Sequence, residues 1–164
     1  MLFTPYARVV DIADSSITAT AVASDGTVYT CGSNTLGQFA QEIAQFKPLA
    51  GVAGNCDNYD LRYTHPMHRV FNCGGLKVLM THIGGYPGRY DAKARKLINE
   101  HRPDIFVCGH SHILKVVRDP SYNGMLVLNP GAAGIQGFHV VRTALRFHID
   151  EGRIHDMEVF ELDR

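Results

Sequence analysis

Apolar residues in this chain fall in short runs, each closed by a turn-forming or polar residue. Leu76-Lys77-Val78-Leu79-Met80-Thr81 and Asp104-Ile105-Phe106-Val107-Cys108, the latter set off by Pro103, are the clearest. Runs of this length bounded by breakers predict buried strands. Leu49-Ala50-Gly51-Val52-Ala53 and Met125-Leu126-Val127-Leu128 are of the same kind, and Asn129-Pro130-Gly131 closes the second. Gly74-Gly75 predicts a hairpin turn between a strand leaving through Val70-Phe71 and the one that starts at Leu76. Near the C-terminus Thr143 to Ile149 and Ile154 to Leu162 alternate apolar and polar positions, which predicts a second hairpin turned at Glu151-Gly152.

Helical spacing occurs twice. Phe39, Ile43 and Phe46 recur at i, i+4 and i+7, an amphipathic helix ended before Pro48. Asp91 is the expected N-cap of a second helix running through Asn99, with Ala94, Leu97 and Ile98 on its inner face. Residues 58–69 and the Gly/Pro-rich stretch 83–90 read as loops, and 113–124 as a polar connection. Before residue 37 the signals are weaker: strands at Ala7 to Ile12 and Thr27 to Thr30, and a local hairpin over Ile17 to Thr30 turned at Asp25-Gly26. Helices between the earlier strands and a strand-rich second half predict one α/β domain over residues 1–164, two sheets packed together under outer helices.

Composition changes this picture at one place. All nine histidines lie at or after His65, while the first 37 residues hold no His, Lys or Glu and a single Arg. Residues 1–37 are therefore atypical of the rest. We hypothesise that a shifted reading frame or a wrong start produced residues 1 to about 36; one uninterrupted frame on resequencing, with no alternative Asp-x-His upstream, would remove the idea. Formal net charge is zero, so nothing directs the chain to nucleic acid or an anionic membrane. No stretch reaches the roughly 18 apolar residues of a membrane span, and a cytoplasmic protein is expected. Cys31, Cys56, Cys73 and Cys108 form no Cys-x-x-Cys pair, so reduced thiols are the default.

The chemistry gathers at strand ends. Asn55, His82 and the pair His110/His112 each follow an apolar strand, so they can converge on one sheet edge although far apart in sequence. Gly109 is expected to supply the sharp turn that aims both imidazoles. An amide oxygen with three imidazoles suits a borderline divalent cation such as Mn²⁺, Fe²⁺, Zn²⁺ or Ni²⁺. Without a thiolate in the set, a structural zinc site is not expected.

Gly54-Asn55-Cys56-Asp57, Thr81-His82-Ile83-Gly84-Gly85 and Gly109-His110-Ser111-His112 together resemble the motifs of the calcineurin-like metallophosphoesterases, and more narrowly the small YfcE-type phosphodiesterases. The resemblance covers roughly Gln38 to the C-terminus. It implies a four-layer α/β/β/α sandwich of two mixed sheets, with two metals, Mn²⁺ first among the candidates, clamping a phosphoryl group and generating a hydroxide for in-line attack. Carried onto this chain, Asn55, His82 and His110 hold one metal and His112 helps to hold the other. Arg89 meets a phosphate oxygen, against the plainer reading of a solvated arginine. Asp57 orients a ligand or helps protonate the leaving group, against the plainer reading of a turn cap.

Two motifs of the family are missing. Its N-terminal Asp-x-His has only Asp14-Ser15-Ser16 as a counterpart, and Val28-Tyr29-Thr30-Cys31-Gly32-Ser33 offers Ser33 where a bridging Asp should stand. A hydroxyl does not offset two adjacent dications, so one metal rather than two is expected here unless Asp11 or Asp14 substitutes. The resemblance thus implies a phosphodiesterase acting on a small phosphodiester, impaired in this chain. The alternative is a catalytically inactive interaction scaffold on the same fold, as in the metallophosphoesterase-like subunit of the retromer coat. Assembly into a homo-oligomer is left open.

Overall fold

The computed structural model describes residues 7–8, 18–22, 28–32, 49–55, 57, 62–63, 65–132 and 140–162, up to residue 50 by their backbone alone. In chain order these form β1 (Ala7–Arg8), β2 (Thr18–Val22), β3 (Val28–Gly32), β4 (Leu49–Ala53), β5 (His68–Cys73), β6 (Leu76–Thr81), α1 (Ala92–His101), β7 (Ile105–Val107), β8 (Lys115–Asp119), β9 (Met125–Asn129), β10 (Arg142–Asp150) and β11 (Arg153–Leu162). Among the described residues no helix is long and apolar enough to cross a membrane.

A mixed sheet in the order β5-β6-β7-β9-β8 is the centre of the molecule. The three middle strands run parallel, and α1 provides the crossover from β6 to β7. Every residue of β7 and β9 is buried, as expected of parallel strands covered on both sides. Alternation along them divides the core into two faces. Val78, Met80, Ile105, Val107, Leu126 and Leu128 pack against Leu145, Phe147 and Ile149 of β10 and Val52 of β4. Leu79, Phe106, Met125 and Val127 pack instead against Tyr90 and the inner face of α1, Ala94 and Ile98.

The second sheet has the order β1-β10-β11, with β1 and β11 both antiparallel to β10. A third joins β2, β3 and β4: β2 and β3 form the expected antiparallel hairpin, and β3 runs parallel to β4 with Gly32 level with Ala53. Helix, mixed sheet and second sheet are three layers of the expected α/β sandwich. The helix expected from Gln38 to Phe46, which would add the fourth, lies outside the described residues, as do Asp11, Asp14 and Ser33.

Several expectations are met closely. Asp91 caps α1, its Oδ1 accepting from Lys93 N at 2.9 Å and Ala94 N at 3.3 Å. The helix runs two residues past Asn99, to His101, and ends where Arg102 adopts a left-handed conformation (φ 47°) with its N–H on the Ile98 carbonyl. The polar connection after His112 differs: it contains β8, an edge strand antiparallel to β9. Val116 and Val117 of β8 are exposed between charged neighbours, and that kind of composition belongs to an edge.

Candidate metal centre

Asn55 follows β4, His82 follows β6, and the His110/His112 turn follows β7. The turns bring three donor atoms together. His82 Nε2 lies 2.7 Å from Asn55 Oδ1, and His110 Nδ1 lies 3.3 Å from the same His82 Nε2. The two imidazoles meet edge to face, centroids 5.1 Å apart. Their loops are tied by the Gly109 N–H, which donates to the His82 carbonyl at 3.0 Å, and the start of the His110 turn is held to β9 by the Cys108 N–H, which donates to the Leu128 carbonyl at 2.9 Å. Gly84 lets the loop after His82 lie against β7, since a Cβ there would fall 2.7 Å from Cys108 Sγ and Phe106 Cζ.

The turn is not made as the sequence suggested. Gly109 is not among the residues of positive φ; His110 (φ 64°) and His112 (φ 58°) are, so the ligand candidates themselves carry the left-handed conformation. Histidine enters this region more readily than most non-glycine residues, yet still at a cost in free energy. The arrangement is held by Asn129, which in the sequence closes an apolar run and opens the Asn129-Pro130-Gly131-Ala132-Ala133 stretch included in the resemblance, with no role of its own assigned. Its Nδ2 donates to the Gly109 carbonyl and to Ser111 Oγ, each at 2.9 Å, and its Oδ1 accepts from Gly131 N at 3.0 Å. Asn129 is buried. A buried amide at the end of an apolar strand is the one signal that pointed to it, because such a group requires partners.

His82 is the deepest member, 3% exposed. Burial lowers its pKa to about 4, the neighbouring His110 pushes the same way, Asp57 opposes, and His112 adds a smaller depression. Its imidazole is therefore neutral at pH 7, with a lone pair to offer a cation. Among the described residues its Nδ1 is buried with no hydrogen-bond partner.

The other expected residues fall nearby with differing duties. Asp57 is buried, and its Oδ2 accepts from Gly54 N at 2.7 Å; turn capping is thus one of its duties, while its charge reaches His82. Half-buried His112 is close enough to act on His82 electrostatically. Arg89 is exposed and lines, with His110, a cavity of about 440 Å³ whose walls include Ile83, Tyr86 and Ile113. Within that cavity Lys115 Nζ sits 4.2 Å from the centre of the Tyr86 ring.

Among the described residues no three His, Cys, Asp or Glu side chains gather as a metal-holding group; the convergent set is two imidazoles and an amide oxygen. That set nevertheless fits a cation. With metal–N and metal–O distances near 2.1 Å, neighbouring ligand atoms stand roughly 3.0–3.4 Å apart; the observed 3.3 Å between the imidazole nitrogens falls in that range, and the 2.7 Å between Asn55 and His82 is a hydrogen-bond distance a little below it.

The fold and this strand-end cluster define a metallophosphoesterase-like domain. Residues 10–152 match the model of the calcineurin-like phosphoesterase superfamily domain, and the chain belongs to that superfamily. The match begins within the segment of atypical composition. Among solved structures, a protein of Thermotoga maritima is 25% identical with a TM-score of 0.61, over 84% of this chain and 81% of that one. A single-substitution variant of Vps29 from Entamoeba histolytica is 22% identical with a TM-score of 0.59, over 84% and 82%. Wild-type Vps29 of that organism, complexed with Zn²⁺, is 18% identical with a TM-score of 0.50, over 79% of each chain. No curated protein matches the chain.

Proposed function

We propose that this chain is a divalent-metal-dependent phosphoesterase acting on a small organic phosphodiester. The observation that carries the reading is the meeting of Asn55 Oδ1, His82 Nε2 and His110 Nδ1 from the ends of three strands beside an open cavity. Asn55, His82 and His110 would hold one cation, with His112 at its margin; Mn²⁺, Zn²⁺, Ni²⁺ and Fe²⁺ all accept such a donor set. A cation there supplies Lewis acidity toward a phosphoryl oxygen and toward water.

The remaining work falls to the chain itself. Neutral His82 keeps its lone pair for the centre. Arg89 lines the cavity, where its fixed charge pairs with a phosphate oxygen. Asp57, already holding the Gly54 turn, sets the electrostatics beside Asn55 and His82. The apolar walls Ile83, Tyr86 and Ile113 take the organic part of the ester and limit water around it.

One feature favours a second reading, a scaffold that keeps the fold without turnover: Ser33 stands where the family's bridging carboxylate is expected. Measuring bound Mn²⁺ by calorimetry together with hydrolysis of bis(4-nitrophenyl) phosphate separates the two. Metal binding with turnover supports the phosphoesterase; metal binding without turnover selects the scaffold; no metal binding overturns the centre itself.

A further inference from the structure

Ser111 lies between the two left-handed histidines, and two N–H groups address its hydroxyl oxygen. The Asn129 side-chain amide has one orientation: its Oδ1 faces the Gly131 N–H, so the atom facing the Gly109 carbonyl is Nδ2. One N–H of Nδ2 goes to that carbonyl and the other to Ser111 Oγ, 2.9 Å away. The Ile113 N–H approaches the same Oγ at 3.4 Å. A serine oxygen has two lone pairs and one hydrogen. With both lone pairs addressed by N–H groups, the hydroxyl hydrogen is left to donate to a further acceptor. Ser111 is exposed and lines the cavity shared with His110 and Arg89.

We propose that the Ser111 hydroxyl is a substrate-binding donor, and that Asn129 is the positioning residue that turns its hydrogen toward an oxygen of a phosphate or phosphonate ester in this cavity. The inference rests on the phosphoesterase reading and names a contact that the centre's ligands do not make. Among the groups lining the cavity, Arg89 and Lys115 offer charge from long side chains, whereas Ser111 offers a short donor on a turn braced by Asn129. A donor so braced favours one orientation of the phosphorus centre relative to the imidazoles. The apolar walls imply that the ligand carries an aryl or similarly flat group as well as the anion.

The test is calorimetric binding of phenylphosphonate, in the presence of Mn²⁺, to the wild-type chain, Ser111→Ala and Ser111→Thr, with Mn²⁺ titrated separately into each. Loss of one hydrogen bond to an anion is expected to weaken phenylphosphonate about tenfold in Ser111→Ala. Ser111→Thr, which keeps the hydroxyl, is expected to stay within about twofold of wild type by the same reasoning, and Mn²⁺ affinity to be alike in all three. Unchanged phenylphosphonate affinity in Ser111→Ala overturns the proposal, as does a wild-type chain that does not bind the probe. A parallel loss of Mn²⁺ affinity also overturns it, since Ser111 would then only shape the turn. Turnover of bis(4-nitrophenyl) phosphate in the same samples keeps the two readings apart. The expected binding pattern without turnover leaves the donor standing and removes the enzyme, whereas turnover with an unaffected Ser111→Ala removes the donor alone.

Discussion

His82 Nε2 lies 2.7 Å from Asn55 Oδ1, an imidazole from the end of β6 against an amide from the end of β4. These are ends of strands in two different sheets, and a group bound by both residues joins the sheets across the core.

If this contact is the heart of a metal centre, His82→Ala weakens Mn²⁺ binding by more than about 100-fold, beyond the 10–100-fold range of changes made around, rather than at, the ligands. Asn55→Leu has a smaller effect in the same direction. His101→Ala, at the end of α1, has none. Calorimetric titration of the three variants checks this, and equal affinities would sink the assignment.

Asn129 offers a second measurement. Asn129→Leu leaves the buried Gly131 N–H without its acceptor and removes one of the two donors to the Gly109 carbonyl, which keeps the Ser111 N–H at 2.7 Å. A loss of about 2–4 kcal/mol in urea unfolding is expected. Mn²⁺ affinity should fall with it, by about 10–100-fold, because the His110/His112 turn loses its brace.

Tyr90 gives a pH dependence that owes nothing to metal. Its O–H donates to Asp119 Oδ2 at 2.7 Å, and burial, with Asp119 beside it, raises the phenol well above its ordinary pKa of 10. Because the folded value is the higher one, the stabilisation is complete below about pH 10 and is lost as pH rises from there toward the folded value. Thermal melting between pH 8 and pH 11 should therefore show a decline that is shallower in Tyr90→Phe. At neutral pH that variant should be less stable by about 1.5–3 kcal/mol, the range for a hydrogen bond to a charged group.

β3 ends at Gly32, level with Ala53, two positions before Asn55. The next residue, Ser33, is the one that departs from the family's carboxylate. Ser33→Asp is expected to increase the Mn²⁺ bound per chain and to raise phosphodiester turnover, since a carboxylate offsets the charge of a second dication. Metal content by mass spectrometry, beside the turnover assay, decides it; an unchanged stoichiometry would count against a dinuclear ancestry for the site.

How far the sequence carried depends on where each residue finds its partners. Leu76 to Thr81, Met125 to Leu128 and the C-terminal hairpin were legible because burial on two faces, or on alternate ones, writes itself into local composition. Asp91 was legible because a cap bonds to its own helix. β8 was not: an edge strand with Lys115, Arg118 and Asp119 around two exposed valines reads as polar connection. Nor was the shape of the His110/His112 turn, where glycine was the expected hinge and two histidines took the role. Asn55, His82 and His110 were found as separate strand ends, but Asn129 and Ser111 acquire their parts only from each other and from Gly109, across almost twenty residues of intervening chain.

The backbone of His110 and His112 has a thermodynamic corollary. Left-handed geometry costs a residue bearing a side chain roughly 1–3 kcal/mol, and glycine would occupy the same angles freely. His112→Gly should thus unfold at a higher urea concentration than the wild type while binding Mn²⁺ less well. Such opposed responses would mark the turn as a place where the chain keeps imidazoles in spite of its own folding preference, and where selection for robustness alone would erase them.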